Sequence, residues 1–129
     1  MPVQHETTQS IDIQTQVTYI LSESRPEQGY HFFVYRIKIH NRGQTAAKLL
    51  NRHWVITDAM GCIEEVRGPG VVGLQPKINP GQMFEYESAC PLQAPYGSMK
   101  GHYQFEDETG QTFNIEIPEF DLVSPQALH

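Results

Sequence analysis

Apolar side chains recur on every second position along one stretch of this chain after another. Ile11, Ile13, Val17, Tyr19 and Leu21 alternate with Asp12, Gln14, Gln16 and Thr18. Phe33, Tyr35, Ile37 and Ile39 alternate with Arg36, Lys38 and His40. The same rhythm returns in Phe84 and Tyr86, in Met99, Tyr103 and Phe105, and in Phe113, Ile115 and Ile117. Successive side chains of an extended backbone point to opposite faces, so this period makes half-buried strands. No window carries apolar residues at the three-and-four spacing of an amphipathic helix.

Glycine, proline and short polar turns separate the runs. Ser22–Gly29 reads as a loop, Asn41-Arg42-Gly43 as a turn, and Asp58-Ala59-Met60-Gly61 as a tight hairpin. A strand over 48–57 puts Leu50, Trp54 and Ile56 on one face with Arg52, and Asn51, His53, Val55 and Thr57 on the other. A short strand returns over 62–66. Residues 91–97 read as loop, 107–110 as a turn, and Pro118 as the end of the last ladder, because proline donates no hydrogen bond. Seven or so short strands predict an all-β, two-sheet antiparallel sandwich with Trp54 between its sheets.

The chain has 129 residues, enough for one domain. Residues 10–122 form it in this reading, with a flexible segment at 1–9 and a flexible tail at 123–129. Arg52 on the Trp54 face either runs its stem along apolar surface and brings its charge to the sheet edge, the favoured reading, or marks a binding surface. Cys62 and Cys90 are neither a disulfide framework nor a zinc motif, and read as two small buried thiols.

Net charge is −6, with nine Lys and Arg scattered singly. That is the wrong balance for nucleic acid or an anionic membrane. Met1–Ser10 lacks the apolar region of a signal peptide, and a cytoplasmic location is the expectation. The six histidines fall at no metal-ligand spacing, so no metal and no cofactor is expected. No nucleophile motif occurs, and no catalytic residue is assigned. Glu64 and Glu65, being adjacent in a strand, face opposite ways and cannot act as an acid–base pair.

Gly68-Pro69-Gly70-Val71-Val72-Gly73 matches the dinucleotide-binding spacing. Residues 74–81 hold two prolines and a glycine, so the helix that motif requires cannot follow. The glycines could still expose amides to an anion, which makes Arg67, Gly68, Gly70, Gly73 and Lys77 candidate anion-binding residues. Tyr30, Phe32 and Val34 lie opposite the expected core and are a candidate interaction or homodimer surface.

Arg52-His53-Trp54 with Ile56-Thr57-Asp58, then Val66 through Gly73, Gln75-Pro76, Pro80-Gly81, Tyr86-Glu87-Ser88, Gly97-Ser98-Met99, Gly101-His102-Tyr103 and Ile117-Pro118-Glu119-Phe120 together resemble the ApaG domain. The resemblance runs from about Ile11 to Leu122. It implies a fibronectin type III-like sandwich acting as a non-enzymatic protein-interaction module. Bacterial members, also called CorD, are linked to cobalt resistance and magnesium efflux. Their gene often neighbours one for diadenosine tetraphosphate hydrolysis, so the resemblance also leaves open phosphate or nucleotide binding through Gly68–Gly73.

Overall fold

The computed structural model describes residues 10–128; the expected flexible segment at 1–9 lies outside them. Two antiparallel sheets face each other. One has the order β1 (Ile11–Tyr19), β2 (His31–Asn41), β6 (Met83–Leu92). The other has the order β4 (Ile63–Pro69), β3 (Ala47–Asp58), β7 (Tyr96–Asp107), β8 (Thr112–Val123), and the short β5 (Lys77–Ile78) pairs with the start of β3. Two facing sheets are what the alternation predicts, and three strands against four in this connectivity is the fibronectin type III-like form that the resemblance implies. Among the described residues no helix is long and apolar enough to cross a membrane.

The inward set of β2 is Phe33, Tyr35, Ile37 and Ile39, as the pattern requires. It meets Trp54, Tyr86, Met99, Tyr103, Phe105, Ile117 and Leu122. Trp54 is 2% exposed. Its ring stands edge-on to Tyr35, Tyr103 and Phe120, with centroids 5.4–6.2 Å away. Edge-to-face contacts of this kind add to the burial each ring already supplies.

Two β-bulges correct the reading by alternation. In β3, Leu49 pairs with Phe105 but Asn51 pairs with Gln104, so Leu50 is an extra residue. Parity therefore changes along the strand: Leu49 and Trp54 are both core, whereas Leu50, expected beside Trp54, is only half-buried. The Leu50 carbonyl accepts the Gly70 amide at 2.8 Å and the Gln75 side chain at 2.9 Å. In the last strand pair, Met99 faces Phe120 and Gly101 faces Ile117, which puts Pro118 and Glu119 together across from Lys100. Pro118 does not end the ladder. Its missing donor falls in the bulge, and β8 continues to Val123. Ser124 beyond it is buried and donates its amide to Pro95 at 2.9 Å. Residues 91 and 92 likewise belong to β6 rather than to a loop.

Of the two cysteines, Cys90 is buried and Cys62 is exposed at the β3–β4 hairpin, against the expectation that both are buried. Burial, with a smaller contribution from Glu64, pushes the Cys90 thiol up to about 11. The unfolded thiol ionises near 8.5. A raised folded value means stability is whole below that pH and falls as pH rises toward 11. Chemical denaturation between about pH 8.5 and pH 10 will show stability declining, and Cys90→Ala will flatten that slope.

Gly101 sits tight against the backbone of β3. It faces Trp54, and a Cβ there would stand 1.9 Å from the His53 carbonyl oxygen. The three nearest atoms are all β3 backbone, from His53 and Trp54, which leaves nothing cheap to move. Gly101→Ala is expected to lower stability by about 2–3 kcal/mol, at the upper end of overpacking effects, read as a lower urea midpoint at unchanged slope.

Candidate functional site

The outward residues of the larger sheet form two polar rows. The register aligns Arg67, His53, His102 and Glu116 across β4, β3, β7 and β8. One step along it aligns Pro69, Asn51, Gln104 and Asn114. Together with Arg52 and Gly68, all of these but Glu116 line an open depression of about 450 Å³.

The site's side chains hold one another. Asn51 Nδ2 donates to Gln104 Oε1 at 2.7 Å. His53 Nε2 lies 2.8 Å from Glu65 Oε1, and Arg67 Nη2 donates to the same oxygen at 3.3 Å. The His53 hydrogen bond holds the Glu65 carboxyl below the usual range, with Arg67 adding to it. The His53 and His102 rings meet in a T, with centroids 5.1 Å apart. Among the described residues no three His, Cys, Asp or Glu side chains gather where they could hold a metal ion.

Beneath this face Arg52 runs to the sheet edge, as expected. Its Nη1 donates to the carbonyls of Pro69 and Gly70, each at 3.0 Å. The guanidinium lies over Gly68, within 3.1–3.2 Å of where a Cβ would be. A larger residue at 68 would displace it. Inward of Arg52 the hydroxyls of Tyr86 and Tyr103 hydrogen-bond each other between the sheets. Burial raises both phenols well above the ordinary value, and the Arg52 charge partly opposes this.

The residues singled out from the sequence end in different places. Arg67 and Gly68 line the depression. Gly70 and Gly73 belong to a tight turn in which Val71 and Leu74 exchange two backbone hydrogen bonds of 2.8 Å. Val72 and Gly73, the two residues between them, both have positive φ, at 43° and 81°. The amides of Gly70, Val71 and Leu74 are thus engaged within the chain. Lys77 lies elsewhere, beside Lys48, Glu106, Asp107 and Glu108. Tyr30, Phe32 and Val34 are half-buried at the outer side of the smaller sheet. There Tyr30 exchanges two backbone hydrogen bonds with Arg25, and the Phe32 amide donates to Ser24 Oγ.

The pairing of His53 with His102, and of Asn51 with Gln104, escapes sequence reasoning. Parity places His53 and His102 on outward faces, but only the β3–β7 register sets them side by side.

The phenol pair makes a double-mutant prediction. Tyr103→Phe strands the Tyr86 hydroxyl in the interior and is expected to cost about 1–3 kcal/mol. Tyr86→Phe with Tyr103→Phe removes donor and acceptor together and should cost less than the sum of the singles, measured by urea denaturation.

Similar proteins agree with this architecture. A family model described as the ApaG domain matches residues 21–107. Protein ApaG of Bdellovibrio bacteriovorus is 63% identical over 117 residues, covering 91% of this chain and 92% of its own length. Protein ApaG of Azorhizobium caulinodans is 48% identical over 119 residues, with 92% of each covered. A crystal structure of a Bordetella pertussis protein named ApaA superposes with a TM-score of 0.88 at 41% identity, over 91% of this chain and 95% of that one.

Proposed function

This chain belongs to the ApaG family, and we propose that it is a non-catalytic binding module that engages a protein partner through the outer face of its larger sheet. One observation carries the reading: amide, imidazole and guanidinium groups from β3, β4 and β7 converge on a single open depression. Several are already fixed by cross-strand hydrogen bonds. Side chains held this way lose little freedom when a partner arrives. The chemistry of the buried thiol points the same way. Cys90 is buried, and its raised pKa keeps it protonated and unreactive at neutral pH. The family's link to cobalt resistance and magnesium efflux makes a protein of divalent-cation handling the expected partner.

A second reading has its own support. Arg67, Gly68, His53 and His102 share the depression, so a phosphate-bearing ligand would meet cationic and hydrogen-bonding groups there rather than in the Val71–Leu74 turn. Amide shifts recorded while titrating ATP, pyrophosphate and diadenosine tetraphosphate test it. Unmoved signals from residues 51–53, 66–70 and 102–104 would end it.

The partner reading is tested by affinity capture from cells grown with and without cobalt. A specific protein should be retained by the parent chain and by Arg36→Ala on the opposite sheet. It should be lost with Asn51→Ala, Gln104→Ala or His102→Ala. Capture indifferent to these three, or abolished instead by Phe32→Ala or Val34→Ala, moves recognition off this face.

A further inference from the structure

The edge strand β4 has a free side of defined chemistry. The Asp58 amide donates to Cys62 and the Gly70 amide to Leu50. These bonds bracket the β3–β4 ladder, whose pairs run from Thr57–Ile63 to Asn51–Pro69. Antiparallel pairs alternate between bonded and non-bonded. So Glu64, Val66 and Gly68 turn their backbone groups toward β3. Ile63, Glu65, Arg67 and Pro69 turn theirs away from the sheet. Among the described residues the strand's only neighbour in the sheet is β3. Pro69 fits this phase, since its missing donor falls on the free side.

We infer that β4 pairs antiparallel with the β4 of a second copy of this chain, about a two-fold axis at Val66. This is independent of the partner reading above. Phase and charge select the register. A two-fold axis at Glu65 would oppose two Glu65 carboxylates, and one at Glu64 would oppose two Glu64 carboxylates. An axis at Arg67 would oppose two guanidinium groups. Of these four axes, the one at Val66 alone opposes no like charges: Val66 meets its own copy at the axis, and an acid faces a cation on either side of it. Glu65 then faces the partner's Arg67 on the outer side, in a pair that exchanges two backbone hydrogen bonds, and symmetry repeats it. Ile63, 67% exposed in the single chain, faces the partner's Pro69.

The inner side agrees independently. Glu64 faces the partner's Gly68, the residue over which Arg52 lays its guanidinium. Among the described residues neither Glu64 nor Arg52 has an ion pair within the chain. The two-fold axis gives each its counterpart. Glu64 and Glu65, which cannot cooperate as an acid–base pair because they face opposite ways, become the two specificity contacts of one isologous edge.

Sedimentation velocity of the full chain over a range of concentrations tests this. A concentration-dependent dimer is expected. Arg67→Pro removes an outward donor while leaving every β3–β4 hydrogen bond in place, and is expected to give a monomer with an unchanged far-ultraviolet spectrum. Arg67→Glu sets like charges opposite and should weaken association by about tenfold. Glu65→Arg combined with Arg67→Glu restores unlike pairs and should return association toward the parent value. If Arg67→Pro disturbs the fold, the two charge variants decide. A monomer at every concentration, or a dimer indifferent to the charge reversals, overturns the inference.

Discussion

One inserted residue organises this molecule. Leu50 bulges from β3, and its carbonyl is met by the Gly70 amide and the Gln75 side chain. With the insertion, β3 buries Leu49 at one end and Trp54 at the other although the two differ in parity. Asn51 and His53 thereby come out on the solvent face while Arg52 turns inward. Removing the extra residue would put one half of the strand out of phase with the other, since a one-residue slip reverses every side chain. The glycine motif is part of this device. Gly70 has φ of 61°, and a Cβ on it would stand 2.1 Å from the Leu74 carbonyl oxygen, so the turn that delivers its amide to Leu50 requires glycine there.

That constraint explains what was legible beforehand. Alternation is written locally, so the inward set of β2, the hairpin at 58–61 and the placement of Trp54 could all be read from consecutive residues. The rejection of a dinucleotide helix after Gly73 also follows from local chemistry, because two prolines forbid it. A bulge is different. It is a relation between two strands, and nothing in Leu50 itself distinguishes it from Leu49. The same holds for Pro118. Proline forbids a ladder position only if its amide must donate, and the β7–β8 register spares it that duty. The candidate site is a product of register too. Its residues lie at 51–53, 67–69, 102, 104 and 114, and sequence separation hides which of them become neighbours.

Arg52 connects the interior to the exposed face. Its stem lies on the Trp54 side of β3 and its charge reaches the β4 carbonyls of Pro69 and Gly70. A guanidinium can accept this half-buried position because its Nη1 donates to two backbone carbonyls, which offsets part of the cost of drawing the charge out of water. Gly68 makes the room. The glycine spacing that resembles a phosphate-binding fingerprint is therefore accounted for by three separate structural needs. Gly68 admits a cation, Gly70 closes the bulge, and Gly73 completes a tight turn.

The polar character of the outer face follows from its turning away from the smaller sheet and toward water. At the β4 edge of the larger sheet Val66 still packs against the core, but Ile63, Glu64, Glu65, Arg67 and Pro69 are exposed, so the strand meets water on both faces at most of its positions. Glu64, Glu65 and Arg67 tolerate this, and charges on an edge also discourage indiscriminate pairing. Yet these charges are not interspersed at random. The acids occupy the first half of β4 and the cations its second half, Arg67 by its own side chain and Gly68 through the guanidinium of Arg52. A strand polarised along its length repels a parallel copy, which would bring acid to acid, and accepts an antiparallel one. The arrangement that keeps the edge soluble also selects the one geometry in which it can be covered.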